Sequence, residues 1–289
     1  MVEPARPTTT AMRRMLAVAA VLVFAIGLPL YLLPDRTETL FSWTVSPPLT
    51  AAFLGAGYLA AVPVEYLASR KRTWADARIG VPAVWVFTTL TLILTLRHLD
   101  PFHFGGEFDA TARFVAWGWL IVYVVVSPVL AVLWIRQVRV PGGDPPHTAV
   151  MPAGLRMVLA IQGVPIVVLG AGLYLAPGTF DALWPWQLSA LTGGAVGAWL
   201  VGIGTAALHS VVENDLRRVR PAMIAYLLFG ILQIGAVARF AGADGPSGEP
   251  VLDWSHARIW VYLVVLAAIV VSAASALWLT SRTTERSTR

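Results

Sequence analysis

Apolar residues recur along this chain in eight long runs, each bounded by short polar segments: Met15–Leu33, Thr50–Ala68, Ile79–Leu96, Phe114–Ile135, Leu155–Leu175, Leu188–Leu208, Pro221–Ala238 and Ile259–Leu279. A bilayer-spanning helix needs about 20 predominantly apolar residues. In lipid, the backbone polar groups of one such segment find partners only within a helix. The pattern predicts an all-α, polytopic membrane protein with eight transmembrane helices. The first run reads as a span and not as a secretory signal, because it is long for an h-region and no A-x-A site follows it. Proline interrupts the runs at Pro29, Pro63, Pro82, Pro128 and Pro165. Pro82 and Pro221 are expected in the first turns of their helices, where proline costs little. Pro128 and Pro165 fall mid-span, where a kink either opens a cavity or improves packing.

The polar segments alternate in charge. Arg36, Arg97, Arg113, Arg239 and Arg258 lie on one set; the remaining 16 of the 21 basic residues, among them Arg13, Lys71, Arg217, Arg286 and Arg289, lie on the other. Cytoplasmic loops carry the excess of Lys and Arg, so both termini are predicted to be cytoplasmic. Trp43, Trp184, Trp186 and Trp254 near the outer ends, and Trp74, Trp134 and Trp278 near the inner ends, read as anchors at headgroup level.

The second half repeats the first at an offset of about 143 residues. LYLAPGTFDALWPWQLS echoes LYLLPDRTETLFSWTVS, pairing Tyr31 with Tyr174, Pro34 with Pro177 and Trp43 with Trp186. After a one-residue gap, Gly55-Ala56 pairs with Gly197-Ala198, Arg78 with Arg220, Thr91 with Gln233 and Arg97 with Arg239. Gly106-Glu107 matches Gly248-Glu249, and Ala112-Arg113 matches Ala257-Arg258. Residues 1–150 and 151–289 are therefore expected to form two four-helix repeats. An even number of spans per repeat gives both the same orientation, with the pseudo-twofold axis along the membrane normal. Gly193-x-x-x-Gly197, Ala198-x-x-x-Gly202 and Ala51-x-x-x-Gly55 offer small faces through which the halves are expected to meet.

Composition narrows the classes. Apolar residues make up 57% of the 289 residues and charged residues 13%. A soluble domain carries about 25% charged residues, so lipid must be the main solvent. The net charge of +5 does not signal nucleic acid, because the basic residues sit in short clusters between apolar runs. The absence of cysteine excludes disulfides and thiolate metal sites. Lys71 is the single lysine, which points to a GC-rich genome.

The repeated charges are the first candidate site. Arg97, Arg113 and Glu107, with their counterparts Arg239, Arg258 and Glu249, gather at the outer side. A guanidinium holds a carboxylate or phosphate in a bidentate fork. The set is either an anionic-ligand or lipid-headgroup site, or an ion-pair network tying each loop to its helix ends. His98, His103 and His256 lie nearby with Asp100, Asp109 and Asp253, a zinc or copper donor set or, at His98, a haem ligand, although the spacing matches no compact metal motif. No P-loop, H-E-x-x-H, dinucleotide or Ser-His-Asp pattern occurs, so no cofactor is expected beyond those options. Near the inner ends, Glu65, and His209 with Glu213 on one helix face, are expected to pair with Arg70 or Arg217. The centres of the spans hold no charge. Their polar residues, Thr88, Thr89, Thr91, Ser127, Gln162, Gln233 and Ser272, either line a neutral cavity or hydrogen-bond between helices.

The run Phe41-Ser-Trp43-Thr-Val-Ser-Pro47-Pro48-Leu-Thr50-Ala-Ala-Phe53-Leu-Gly55 resembles a signature of uncharacterised multi-pass membrane proteins of high-GC bacteria, and Leu96–Phe104 and Trp117-Gly-Trp119 fit the same resemblance. The likeness implies a bacterial plasma-membrane protein and no particular activity. Three classes stay open: a permease for a small neutral or anionic solute passing between the halves, a structural or accessory subunit or sensor, and an enzyme handling lipid or quinone at the outer face. The bilayer is the partner in each; oligomeric state is not legible.

Overall fold

The computed structural model describes residues 3–245 and 248–287, the last four of these as backbone only; Arg289 and the Arg286 side chain lie outside the described residues. Among the described residues, eight helical segments are long and apolar enough to cross a membrane, the third of them, Trp74–Arg97, counted with the turns that lead into its helix. They are α1 (Thr10–Leu32), α2 (Pro48–Ser69), α3 (Val81–Arg97), α4 (Ala110–Val138), α5 (Ala153–Leu175), α6 (Ala190–Glu213), α7 (Leu216–Arg239) and α8 (Ala257–Ser287). A short helical turn, Trp74–Ala77, and a 3-10 turn, Arg78–Gly80, lead into α3.

Several helices start earlier than hydropathy alone predicts, because capping groups set the boundary. Asp109 accepts from the Thr111 and Ala112 N–H groups, and Asp215 accepts from those of Arg217 and Arg218, satisfying donors that have no partner in the first turn. Pro221 consequently lies inside α7 and not in its first turn, unlike Pro82.

Residues 3–9, the loops at 70–73 and 139–152, the α6–α7 turn and the end of α8 share one end of the bundle, called here the terminal end. Arg6 N–H donates to Gly143 O, Thr8 N–H to Arg72 O, Met151 N–H to Asn214 O and Leu216 N–H to Ala149 O. Both α1 and α5 begin at this end. Antiparallel bridges join Pro7 to Thr73 and Val150 to Asp215, so each half closes its second loop in the same way.

Within each half the first two helices cross closely. A methyl group added at Gly55 would lie 2.5 Å from the Tyr31 N, and one at Gly197 would lie 2.5 Å from the Gly170 O. Gly27 and Gly170 supply the facing surfaces. The small faces at Gly55 and Gly197 thus hold α1 on α2 and α5 on α6, and not the two halves together. Among the glycines of the three small motifs, Gly202 is the one that meets the other half, against Ala83 and Phe87 of α3. A small-residue face tells that two backbones approach; it does not tell which two.

The halves interleave. α3 packs along α6, and α7 packs along α2. Tyr31 Oη donates to Leu232 O at 2.9 Å, and Tyr174 Oη donates to Leu90 O at 2.8 Å. Each of these tyrosines reaches the third helix of the opposite half. Gly57 faces the Trp199 ring across the centre of the bundle. α2, α3, α6 and α7 are the more buried helices; α1, α4, α5 and α8 present their side chains outward, with Phe114 80%, Val264 68% and Val21 67% exposed. Only an apolar solvent suits such a surface.

Trp43, Trp184 and Trp186 are buried, as is Trp74, and pack inside the protein instead of facing outward as anchors. The first three pack edge-on against Trp119, Phe53 and each other in aromatic layers that close the far end of the bundle. Trp254 and Trp278 are exposed, as an anchor requires.

Candidate functional site

The repeated charges of the far end do not form ion pairs with one another among the described residues. Arg239 caps α1: its Nη1 donates to Tyr31 O at 3.0 Å and Leu32 O at 3.3 Å, and Asp35 lies 3.9 Å from Nη2. A cation at the last carbonyls of a helix is favourable on dipole and hydrogen-bond grounds. Arg97 and Arg113 are exposed at the facing ends of α3 and α4. Glu107 is exposed with its carboxylate turned onto Gly105, and Glu249 is exposed in the α7–α8 loop. Arg258 is half-buried with its Nε unpaired.

The histidines do not converge. His103 is buried, its Nδ1 donating to Phe41 O at 3.1 Å and its Nε2 3.1 Å from the Thr44 hydroxyl, so both ring nitrogens join loop to loop. His98 Nδ1 bonds Leu94 O within its own helix end. His256 pairs with Asp253 at 2.7 Å in the open. No cluster of three metal-ligating side chains exists among the described residues.

The mid-span polar residues mainly join helices. Gln233 Nε2 donates to Phe53 O at 3.0 Å and its Oε1 accepts from Tyr262; Gln162 Oε1 accepts from Tyr226 and Ser272; Thr89 and Ser127 hydroxyls are 2.8 Å apart. Thr91 Oγ1 is buried without a partner.

The concavity at the centre is built from other residues. A cavity of about 120 Å³ lies between α1, α2, α3 and α4 of the first half and α6 and α7 of the second. Its wall is apolar save for Thr88, Tyr58, Tyr123, Tyr226 and Glu65. The room exists because Gly57, Ala60, Ala61, Gly80, Ala83 and Ala206 carry little or no side chain there. The Tyr58 and Tyr123 hydroxyls share a 2.6 Å hydrogen bond. Glu65 is 2% exposed, pairs with no cation among the described residues, and its Oε2 has no hydrogen-bond partner there. Arg70, its expected partner, does not reach it among the described ion pairs. A lone carboxylate in such a place is costly, so either a proton or a cationic guest must neutralise it. An isolated acid in the apolar run Ala60–Leu67, with no basic residue three or four positions away, is the sequence signal for this site.

Towards the far end the cavity is closed by three rings. Phe87 and Trp199 have centroids 4.0 Å apart, and Tyr58 lies 4.8 Å from Trp199. Beyond them is a void of about 10 Å³ bordered by Thr91, Thr95 and Trp119, and then the Trp43–Phe102 layer.

At the terminal end, Glu213 accepts from Arg78 Nε at 2.7 Å and Nη2 at 3.0 Å, and from Arg218 Nη1 at 2.9 Å. Arg217, the partner expected from sequence, does not pair with Glu213 among the described residues. Arg78 also pairs with Asp144, and Arg218 with Asp215 at 4.0 Å. His209 Nδ1 donates to Ile79 O at 3.0 Å. Burial would raise the Asp215 carboxyl, but N–H donors from Thr148, Arg217, Arg218 and Ala149 outweigh it and hold the group below its ordinary range. These charges lock α3, α6 and α7 together.

Comparison of the chain with protein-family models, with curated proteins and with solved structures gave no match. The functional reading rests on the cavity.

Proposed function

We propose that the protein is a permease for a small, largely apolar solute that is neutral or carries a single positive charge. The observation that carries this reading is the cavity shared by helices of both halves, mostly apolar, with the unpaired Glu65 on its wall. An engineered protein cavity of about 150 Å³ accommodates benzene, which sets the scale of the guest. An anionic solute would meet a carboxyl and no cation, so the anionic option weakens. The Tyr58, Phe87 and Trp199 rings act as the gate that must turn aside for passage.

In this reading the chain is a parallel duplication of residues 1–150 and 151–289, and the axis passes beside Gly57 and Trp199. The reciprocal bonds of Tyr31 and Tyr174 and the matched terminal-end bridges support it. The bias of basic residues supports cytoplasmic termini in a bacterial plasma membrane.

The test is flux into liposomes bearing the purified protein, measured by light scattering with small uncharged solutes and with benzylammonium. Protein-dependent entry is expected, and Ala61→Phe, which fills the cavity, abolishes it. Flux equal to that of protein-free liposomes, or flux unchanged by the filled cavity, refutes a permease and leaves the accessory-subunit class.

A further inference from the structure

The terminal end carries a second concavity, of about 580 Å³, between the α2–α3 loop, the first turns of α7 and the last turns of α8. Lys71, Arg217 and Arg220 border it, with Ile224 and Leu277 on its apolar side. No acidic residue lies on its wall among the described residues.

The neighbouring cations are engaged elsewhere. Arg78 and Arg218 hold Glu213, Arg6 and Arg13 donate to the Gly142 and Ser69 carbonyls, and Arg282 stacks over the Trp278 ring. Lys71, Arg217 and Arg220 form no ion pair among the described residues. Arg217 Nη2 reaches only the Thr283 carbonyl, at 3.5 Å, and its Nε is buried with no acceptor. A buried guanidinium N–H without an acceptor is unfavourable, and three like charges at one place repel. The sequence match sharpens the contrast. Arg220 corresponds to Arg78, and around Arg78 the chain itself supplies two carboxylates, Glu213 and Asp144. Around Arg220 the described residues supply none.

We propose that this groove binds the phosphate of an anionic phospholipid, with an acyl chain running along Ile224 and Leu277. Guanidinium forks suit phosphate oxygens. Basic pockets between membrane helices bind anionic headgroups. Ile224 and Leu277 give the groove an apolar side beside its cations, which favours a lipid over free phosphate. This site is independent of the central cavity and of any transport.

The test uses the full-length protein in maltoside micelles, with lipid retention followed by native mass spectrometry. Phosphatidylglycerol is expected to be retained and phosphatidylcholine not. Replacing Lys71, Arg217 and Arg220 by Gln weakens retention roughly fivefold for each charge removed and on the order of a hundredfold for all three. Arg13→Gln and Arg282→Gln leave it unchanged. A photoactivatable phosphatidylglycerol on the wild-type protein, which needs no variant to fold, cross-links near Ile224 and Leu277. Equal retention of phosphatidylcholine, cross-links scattered around the helix belt, or displacement of the lipid by excess inorganic phosphate would each overturn the proposal.

Discussion

Glu213→Gln tests whether the terminal-end charges hold the two halves together. The substitution keeps the side chain's shape and removes its charge. The Glu213 side chain is 1% exposed and that of Arg218 is 5% exposed, so the variant leaves a buried guanidinium whose nearest carboxylate is Asp215, 4.0 Å away. The Pro145 and Pro146 carbonyls still accept from Arg218 Nη2. Arg78 is less affected, since its side chain is 24% exposed and retains Asp144. Removing one partner of a buried pair costs about 3–5 kcal/mol. With Arg78 partly relieved by water, the expected loss is ~3 kcal/mol, nearly all of it at Arg218. Asp144→Asn, at a carboxylate 38% exposed, should cost less than ~1 kcal/mol. Replacing both Glu213 and Arg218 with Leu and Met removes the stranded charge and should recover most of the loss. Reversible unfolding in mixed micelles, followed by tryptophan fluorescence, reads all four proteins on one scale. A Glu213→Gln cost no greater than that of Asp144→Asn would show that solvent screens the cluster and that it does not bind the halves.

Three further outcomes follow from the geometry. Glu65→Met removes an unpaired buried carboxyl, so it should raise unfolding stability by about 1–3 kcal/mol while abolishing benzylammonium flux; a destabilised variant would mean that Glu65 has a partner within the fold. Gly197→Ala places a methyl 2.5 Å from a backbone oxygen and should cost about 1–3 kcal/mol, whereas Gly118→Ala, with nothing within 4 Å, should gain up to ~1 kcal/mol; equal effects in the same unfolding assay would contradict the close α5–α6 crossing. Asp215 has a depressed folded pKa, so its stabilisation is present above about pH 4 and is lost as pH falls through the folded value. Asp215→Asn, which retains a capping oxygen but not the charge, should flatten that part of the acid-side stability curve and lower stability at neutral pH by about what the wild type loses on acidification. An identical acid limb in the two proteins would count against the capping account.

The chain by itself determined how many of its described helices are long and apolar enough to cross a bilayer. Hydrocarbon thickness sets the length of an apolar run, and no fold can evade that requirement, so eight runs became eight helices. It also marked the matched positions, Tyr31 with Tyr174 and Gly55 with Gly197, because those are read residue against residue. The ends of α4 and α7 were legible only through their capping residues Asp109 and Asp215. Only the tertiary structure decided which helix meets which. In a soluble protein, one polar face marks the outside of each helix; here lipid makes the outside as apolar as the core, and that signal vanishes. For this reason the Gly55 and Gly197 faces gave no sign of turning to α1 and α5, and Trp43, Trp184 and Trp186 gave none of turning inward. The pairing of Arg78 with Glu213 joins positions 135 apart, beyond any local rule. Glu65 stood in the sequence as an acid near a helix end; that it faces a cavity with no cation beside it depends on how six helices happen to meet.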